Sequence, residues 1–480
     1  MVASAEMAGR YLRGAGATRA RRDSPKRTRA LTGIVIAALV LIGVATAAIA
    51  VGGGGGDPPN ILFIVTDDQR ATDDTMQVMP KTLQWFRDGG TEFTQAYATT
   101  TACCPSRASI FSGRYTHNHG VRQNDSSQNL DQRFTLQHYL RSNGYLAGIY
   151  GKYFNAWNLN RSPPDFDKWG IWSTGYGPPI GVNEQGTVKS VDKYATTYIS
   201  DSAVDFIQNA ESNDAQPWFL ELATTAPHAP FLPDSQYVDA PTPPYNQKPS
   251  YFEADRSDKS PYLQMRHDDE DTILGDRIQQ LRTLMSVDDM VDRVMQKLQE
   301  TGEDSNTIVV FASDNGYSWG EHGFEAKGEP YIESVQIPMF LRWPGHIAAG
   351  ATDSRLVANI DLPVTALDAA GITPDRPMDG RSLIGNYARD HLLLDFYGFS
   401  GQHLLRDWGA ILTHDYQYID WFDSTPSESS IRFREYYDLN SDPYQLTNAL
   451  SDGNPGNDPD TSALDAQLVQ DLSCSGSTCP

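Results

Sequence analysis

Two mostly apolar runs, each ending in acidic or amide residues, constrain this chain more than any other feature. Residues 60–66 read NILFIVT and run into Asp67-Asp68; residues 307–312 read TIVVFA and run into Ser313-Asp314-Asn315-Gly316. Such runs lack polar alternation, as a central parallel strand covered on both faces requires. Shorter strand candidates, residues 148–150 and 218–222, lie between them among helical stretches. Residues 276–301 carry Ile278, Leu281, Leu284, Met285, Val287, Val291, Val294, Met295 and Leu298 at the spacing of an amphipathic helix lying on a sheet. Alternating strands and helices predict an α/β fold with a mostly parallel central sheet flanked by helices. Ligands of such sheets collect beyond the carboxyl ends of the strands. One acidic pair after a strand ordinarily only starts a turn. Two pairs at equivalent positions give equal weight to a convergence of Asp67, Asp68, Asp314 and Asn315.

The pattern changes after residue 371. Residues 391–396 and 416–421 read as strands and residues 438–443 (DLNSDP) as a turn. Residues 386–480 are therefore expected to form a smaller α+β lobe, after a main domain at 60–385. Residues 451–462, SDGNPGNDPDTS, read as a solvated loop.

Charge is unevenly spread over the 480 residues. The first 30 hold eight of the 38 basic residues and two of the 61 acidic ones, leaving 30 against 59, a balance of −29, in the rest. Such a body has no long-range attraction for nucleic acid or other polyanions. An anionic substrate must be captured by locally placed cations. Residues 31–51 carry no charge, so behind a basic cytoplasmic segment at 1–30 they read as a signal anchor. A cleaved signal peptide is the other reading, with Ala48-Ile49-Ala50 as its cleavage site. Both readings export the body, the anchor alone leaving it attached to the membrane. Residues 52–59, five glycines and Asp57-Pro58-Pro59, form a linker.

The chain has four cysteines. Cys474 and Cys479, in SCSGSTCP, are close enough to close a small loop, and an oxidising compartment lets that disulfide persist. Cys103 and Cys104 need another explanation, because adjacent cysteines rarely bond each other. In CCPSRASIFSG, Pro105 suits the first turn of a helix that Ala108, Ile110 and Phe111 continue and Gly113 stops. The cysteines then lie at a helix N-terminus, which favours an anion, and Arg107 can reach back to it. A phosphatase-type thiolate loop needs Cys-x5-Arg, and zinc needs partners that are missing. A plain buried cysteine pair remains open.

Cys103-Cys104-Pro105-Ser106-Arg107 fits the signature Cys-x-Pro-Ser-Arg, and CCPSRASIFSGRYTHNHG is similar to N-acetylglucosamine-6-sulfatases and their relatives. ILFIVTDDQR, GKYFN, APHAPF, SDNG and EYYDLNSDPYQLTNAL accompany it in the expected order. On these residues the chain resembles the type I, formylglycine-dependent sulfatases of the alkaline phosphatase superfamily. The resemblance implies that a formylglycine-generating enzyme oxidises Cys103 to formylglycine before folding. In the hydrated aldehyde one oxygen attacks sulfur and expels the alcohol; the other then re-forms the carbonyl and ejects sulfate. A thiol lacks that second hydroxyl.

The resemblance further implies that Asp67, Asp68, Asp314 and Asn315, with residue 103, hold a divalent metal, Ca2+ or alternatively Mg2+. Arg107 would fix formylglycine and the carboxylates, Lys152 and Lys327 would bind sulfate oxygens, and His228 would lie near the bridging oxygen. His228 or Lys327 would protonate the leaving alcohol. Many sulfatases carry a histidine two residues after the lysine matching Lys152; here Phe154 stands there, followed by Asn155. His117 or His119 is a candidate replacement, and both, with Asn155, are candidates for the substrate rim or for packing. Trp169, Trp172 and Tyr176 are candidates for contacting the alcohol.

The expectation is an exported sulfatase of sulfate monoesters on a small molecule or saccharide, such as 6-sulfated N-acetylglucosamine. The alternatives are a phosphonate monoester or phosphodiester hydrolase on the same site, and a non-catalytic, membrane-tethered binding protein.

Overall fold

Ten strands line up in one sheet: β1 (Asn60–Asp67), β2 (Thr91–Phe93), β3 (Leu146–Lys152), β4 (Lys168–Trp172), β5 (Ile180–Glu184), β6 (Thr187–Val191), β7 (Trp218–Pro227), β8 (Thr307–Ser313), β9 (Met339–Arg342) and β10 (Ala351–Asp353). Their order is β10-β2-β9-β8-β1-β7-β3-β4-β5-β6. This computed structural model describes residues 58–480 apart from 174, 213–215, 267, 399–406 and 424–426. The basic segment 1–30, the apolar run 31–51 and linker residues 52–57 lie outside the described residues. No described helix is long and apolar enough to cross a membrane.

The central strands β8, β1, β7, β3 and β4 are all parallel. Towards one edge β9 runs antiparallel to β8 and β2, and β10 is parallel to β2. At the other edge β5 and β6 add an antiparallel hairpin. Every residue of β1, β7 and β8 is buried, which accounts for their unbroken apolar runs.

The strand period of two divides β1 between two cores. Ile61, Phe63 and Val65 pack with helices α1 (Cys103–Ser112), α2 (Leu136–Ser142) and α5 (Asp361–Ala369). Leu62 and Ile64 pack with α3 (Ala195–Glu211) and α4 (Glu270–Thr301) on the opposite face. Helix α4 starts six residues before the periodic stretch that announces it. Asp269 caps it by accepting from Thr272 N at 3.0 Å, and its polar first turn carries little apolar signal. Gly302, at φ 87°, ends it in the left-handed conformation.

The C-terminal lobe is a four-stranded antiparallel sheet of β11 (Leu392–Phe396), β12 (Trp408–Leu412), β13 (Tyr416–Phe422) and β14 (Ile431–Asp438), in that order. Its core is continuous with Tyr97, Ala102, Tyr115, Phe324 and Tyr331 of the main body. The described residues from 58 to 480 accordingly belong to one compact unit. Cys474 and Cys479 are bonded as expected, whereas Cys103 and Cys104 are free and buried.

Candidate active site

Four neighbouring parallel strands end at one place. Asp67 closes β1 and Asp68 follows it, Lys152 closes β3, His228 follows β7, and Asp314 and Asn315 follow β8. In register, Thr66 lies beside Ser313, which brings the two acidic pairs together. The chain turns sharply after β1, with Asp68 at φ 68°, a left-handed conformation that aspartate tolerates better than most residues. Asp68 N donates to Asp314 Oδ1 at 3.1 Å, and Asn315 Nδ2 donates to Asp68 Oδ1 at 2.7 Å. Carboxylate oxygens of Asp67, Asp68 and Asp314 all lie within 4.8 Å of one another.

Helix α1 points its first residue, Cys103, at this cluster. Pro105 sits in the first turn and Gly113 ends the helix at φ 65°. Cys103 Sγ donates to Asp67 Oδ1 at 3.5 Å and accepts from Lys327 Nζ at 2.8 Å. Lys327 Nζ also donates to Asp68 Oδ1, and to Asn315 Oδ1 at 3.3 Å. Lys152 Nζ pairs with Asp67 Oδ2. Arg107 donates from Nε to Asp314 Oδ2 and from Nη1 to Lys152 O, both at 2.9 Å, and Nη2 stands 3.7 Å from Asp67 Oδ2. His228 Nδ1–H donates to the Ala229 carbonyl at 2.6 Å, so Nε2 faces Asp68 Oδ2 at 3.8 Å.

Burial and charge compete throughout this cluster. Burial raises the Asp67 carboxyl, yet Lys152, His228, Arg107 and Lys327 together outweigh it and hold that carboxyl well below the usual range. Burial, with Asp67 beside it, pushes Asp314 up to about 6. Burial lowers the Lys152 ammonium, but Asp67 overcomes this and raises it. The Cys103 thiol is pushed up to about 12 by burial, against the pull of Lys152 and Lys327. Burial thus disfavours the thiolate form of an unmodified Cys103.

The neighbouring candidates have different surroundings. Cys104 faces away: its N–H donates to Asn124 Oδ1 at 3.0 Å, and its sulfur accepts from Asn155 N at 3.1 Å. Phe154 is buried against Phe111 and Tyr153. His119 is buried between Ser109 Oγ and Val121 N, and burial pushes its imidazole down to about 3. His117 Nε2–H donates to Cys474 O at 2.9 Å, at the C-terminal disulfide. Trp172 and Tyr176 face inward: Trp172 Nε1 donates to Thr225 Oγ1 at 2.9 Å, and Tyr176 OH donates to His228 O. Both brace the segment carrying His228. Trp169 sits half-buried beside the edge hairpin, donating from Nε1 to Asn183 Oδ1 at 3.1 Å.

Two residues outside the sequence-derived set support the cluster. Ser106 Oγ donates to Asp314 O, and Asn359 Nδ2 donates to Ser106 Oγ at 2.8 Å. Ser106 lies within the cysteine motif, but Asn359 is 253 residues away and carries no local signal.

The profile of the Sulfatase family matches residues 59–372, and that of N-sulphoglucosamine sulphohydrolase, C-terminal, matches residues 320–473. An extracellular sulfatase SULF-1 homolog of Drosophila melanogaster is 35% identical over 344 residues, covering 66% of this chain and 30% of its own length. The N-acetylglucosamine-6-sulfatase of Homo sapiens is 33% identical over 351 residues, covering 66% of this chain and 62% of its own length. The chain thus spans less than two thirds of either relative. A solved protein in complex with its substrate, D-glucosamine-2-N,6-O-disulfate, superposes with a TM-score of 0.69 at 24% identity, covering 87% of this chain and 97% of that one. The phosphonate monoester hydrolase of Agrobacterium radiobacter superposes at 0.66 with 21% identity, covering 86% and 94%. At those identities the superpositions speak for the fold. The family profile goes further, because it spans well over half of the chain and every strand end that meets at Cys103: the chain belongs to the sulfatase family.

Proposed function

We propose that this chain is an exported sulfatase that hydrolyses sulfate monoesters of a sugar, with formylglycine at position 103 and a divalent cation beside it. One observation carries the reading: the Cys103 side chain sits at the centre of a buried ring of hard oxygen donors and cations. Three carboxylates this close need a cation among them, and Lys152 and Lys327 supply that charge in the free protein. Asp67, Asp68, Asp314 and Asn315 offer only oxygen ligands, which fits Ca2+, with Mg2+ as the alternative. Bound there, the cation supplies Lewis-acid polarisation of a sulfate oxygen. Formylglycine, once hydrated, would supply a hydroxyl nucleophile and the second hydroxyl that a thiol lacks.

The remaining work belongs to side chains already in place. Lys152 and Lys327 meet the negative charge of the sulfate oxygens. Arg107 fixes Asp314 and the end of β3 through two hydrogen bonds, holding the oxygen donors and Lys152 in one geometry. His228 commits Nδ1–H to a carbonyl, so its Nε2 is the atom available to hold a proton for the leaving alcohol. Lys327 is the other candidate donor. The similarity to N-acetylglucosamine-6-sulfatases favours 6-sulfated N-acetylglucosamine, and the −29 body favours a small or end-on substrate over a long sulfated polymer. A disulfide and extracellular relatives support export. If residues 31–51 remain uncleaved, they tether the body to the membrane.

The test is turnover by protein co-expressed with a formylglycine-generating enzyme. Sulfate should be released from 6-sulfated N-acetylglucosamine and from an aryl sulfate, and a chelator should abolish release. The fold is shared with phosphonate monoester hydrolases. Faster turnover of an aryl phosphonate or a phosphodiester would therefore reassign the ester. A Cys103 peptide that keeps its thiol mass in the native host would point to a binding protein.

A further inference from the structure

Lys327 does not sit on a helix or a sheet strand that would hold it. Its neighbours Ala326 and Gly328 have φ of 90° and 118°, a region disfavoured for alanine. A non-glycine residue there costs about 1–3 kcal/mol and persists only where its surroundings over-determine it. Those surroundings are the antiparallel pairing of Glu325–Ala326 with Ser318–Trp319 and one short segment before α4. Asp268 Oδ2 accepts from Glu325 N at 2.6 Å, and Arg266 Nη2 donates to Glu325 O at 3.0 Å. Arg266 Nη1 donates to the buried Glu329 Oε1 at 2.8 Å, while Nη2 reaches Asp268 Oδ2 at 2.9 Å. Both sides of Lys327 are thus held, two residues before it through the main chain and two residues after it through a side chain. The Arg266 guanidinium also lies 5.3 Å over the Phe324 ring. From the lobe, Trp408 Nε1 donates to Gly328 O at 2.8 Å.

We propose that Arg266 and Asp268 are positioning residues: they form a clamp that sets where the Lys327 ammonium meets Cys103, Asp68 and Asn315. Neither residue touches the reacting atoms; both act through Lys327. The inference rests on the reading of Lys327 as a sulfate-binding group. A lysine side chain is long and flexible, so its charge arrives at one place only if its backbone is fixed. A displacement of about 1 Å at such a group costs on the order of 100-fold in rate.

The test is a double-mutant cycle on sulfate-ester turnover. Arg266→Gln alone would strand the buried Glu329 carboxylate, so it is combined with Glu329→Gln; Asp268→Ala, whose side chain is 29% exposed, is the second variant. Each should lower kcat/KM about 100-fold in the wild-type background. Neither should lower it further when Lys327 is already alanine. Equal losses in both backgrounds, or no loss with Lys327 present, overturn the clamp. If the wild-type protein releases no sulfate from any ester, the functional reading fails, and the clamp is judged by crystal structures of the same variants. A Lys327 ammonium still seated against Asp68 and Asn315 overturns it there; a displaced one upholds it.

Discussion

Glu221 shows how far one residue's ionisation is decided by its address. It lies within β7, opposite Phe63 and Ile149 on the neighbouring strands, and its Oε2 has no hydrogen-bond partner among the described residues. Burial pushes its carboxyl from 4.5 up to about 8, with the Arg107 charge only partly opposing. The native state therefore keeps a proton that the unfolded chain releases near pH 4.5. Stability from this group is complete below that pH and is lost as pH rises towards 8. Glu221→Gln keeps the shape without the titration, so it should gain on wild type across that window, by on the order of 5 kcal/mol at the upper end. Urea unfolding at several pH values reads this directly; curves that stay parallel would contradict it. Lys152 is the second residue-scale case. Lys152→Ala removes a cation that touches Asp67 and should lower kcat/KM for an aryl sulfate by about 100-fold or more. A loss below about tenfold would remove Lys152 from the proposed sulfate site.

At the scale of elements, β3 reaches the site only because Gly151 precedes Lys152. Its φ is 120°, and a Cβ there would come within 1.9 Å of Ala223 O on the adjacent strand. Backbone cannot yield as a side-chain tip can. Gly151→Ala should therefore cost about 3 kcal/mol or more in denaturant unfolding, and a near-neutral result would show that β3 and β7 can move apart. Helix α5 depends on a buried pair at its first turn. Arg389 donates from Nη1 and Nη2 to the Asp361 oxygens, both at 2.8 Å, and neither side chain is exposed. Arg389→Ala leaves that carboxylate uncompensated and should destabilise by about 3–5 kcal/mol, measured in the same way. Recovery in Arg389→Ala/Asp361→Asn would identify the stranded charge as the cause.

Across the whole molecule, the chain end returns to the segment that follows α1. Cys474 O accepts from His117 Nε2 and from Asn118 Nδ2, both at 2.9 Å, and Gly476 N donates to Asp379 Oδ1 at 2.7 Å. The Cys474–Cys479 bond shapes this knuckle. Replacing both cysteines by serine should cost about 2 kcal/mol, as expected for so short a loop, with the difference vanishing when wild type is reduced. The parallel core was legible beforehand because burial on both faces forces an unbroken apolar run, which β1 and β8 display. Strand ends and a helix start are local features, so they gave Asp67, Asp68, Asp314 and Asn315 even weight as a cluster and placed Cys103 and Arg107 at a helix N-terminus; joining the six into one site came from the family resemblance. Strands β12 and β14 went unread, as did the edge hairpin and the first turns of α4, since each is specified by partners far along the chain. Only folding could reveal that Asn359 holds Ser106, that Arg266 and Asp268 hold the Lys327 loop, or that Trp172 and Tyr176 face inward. Periodicity and turn chemistry are written in neighbouring residues. Desolvation and pairing depend on which distant segments arrive beside a group, and no short stretch of sequence encodes that.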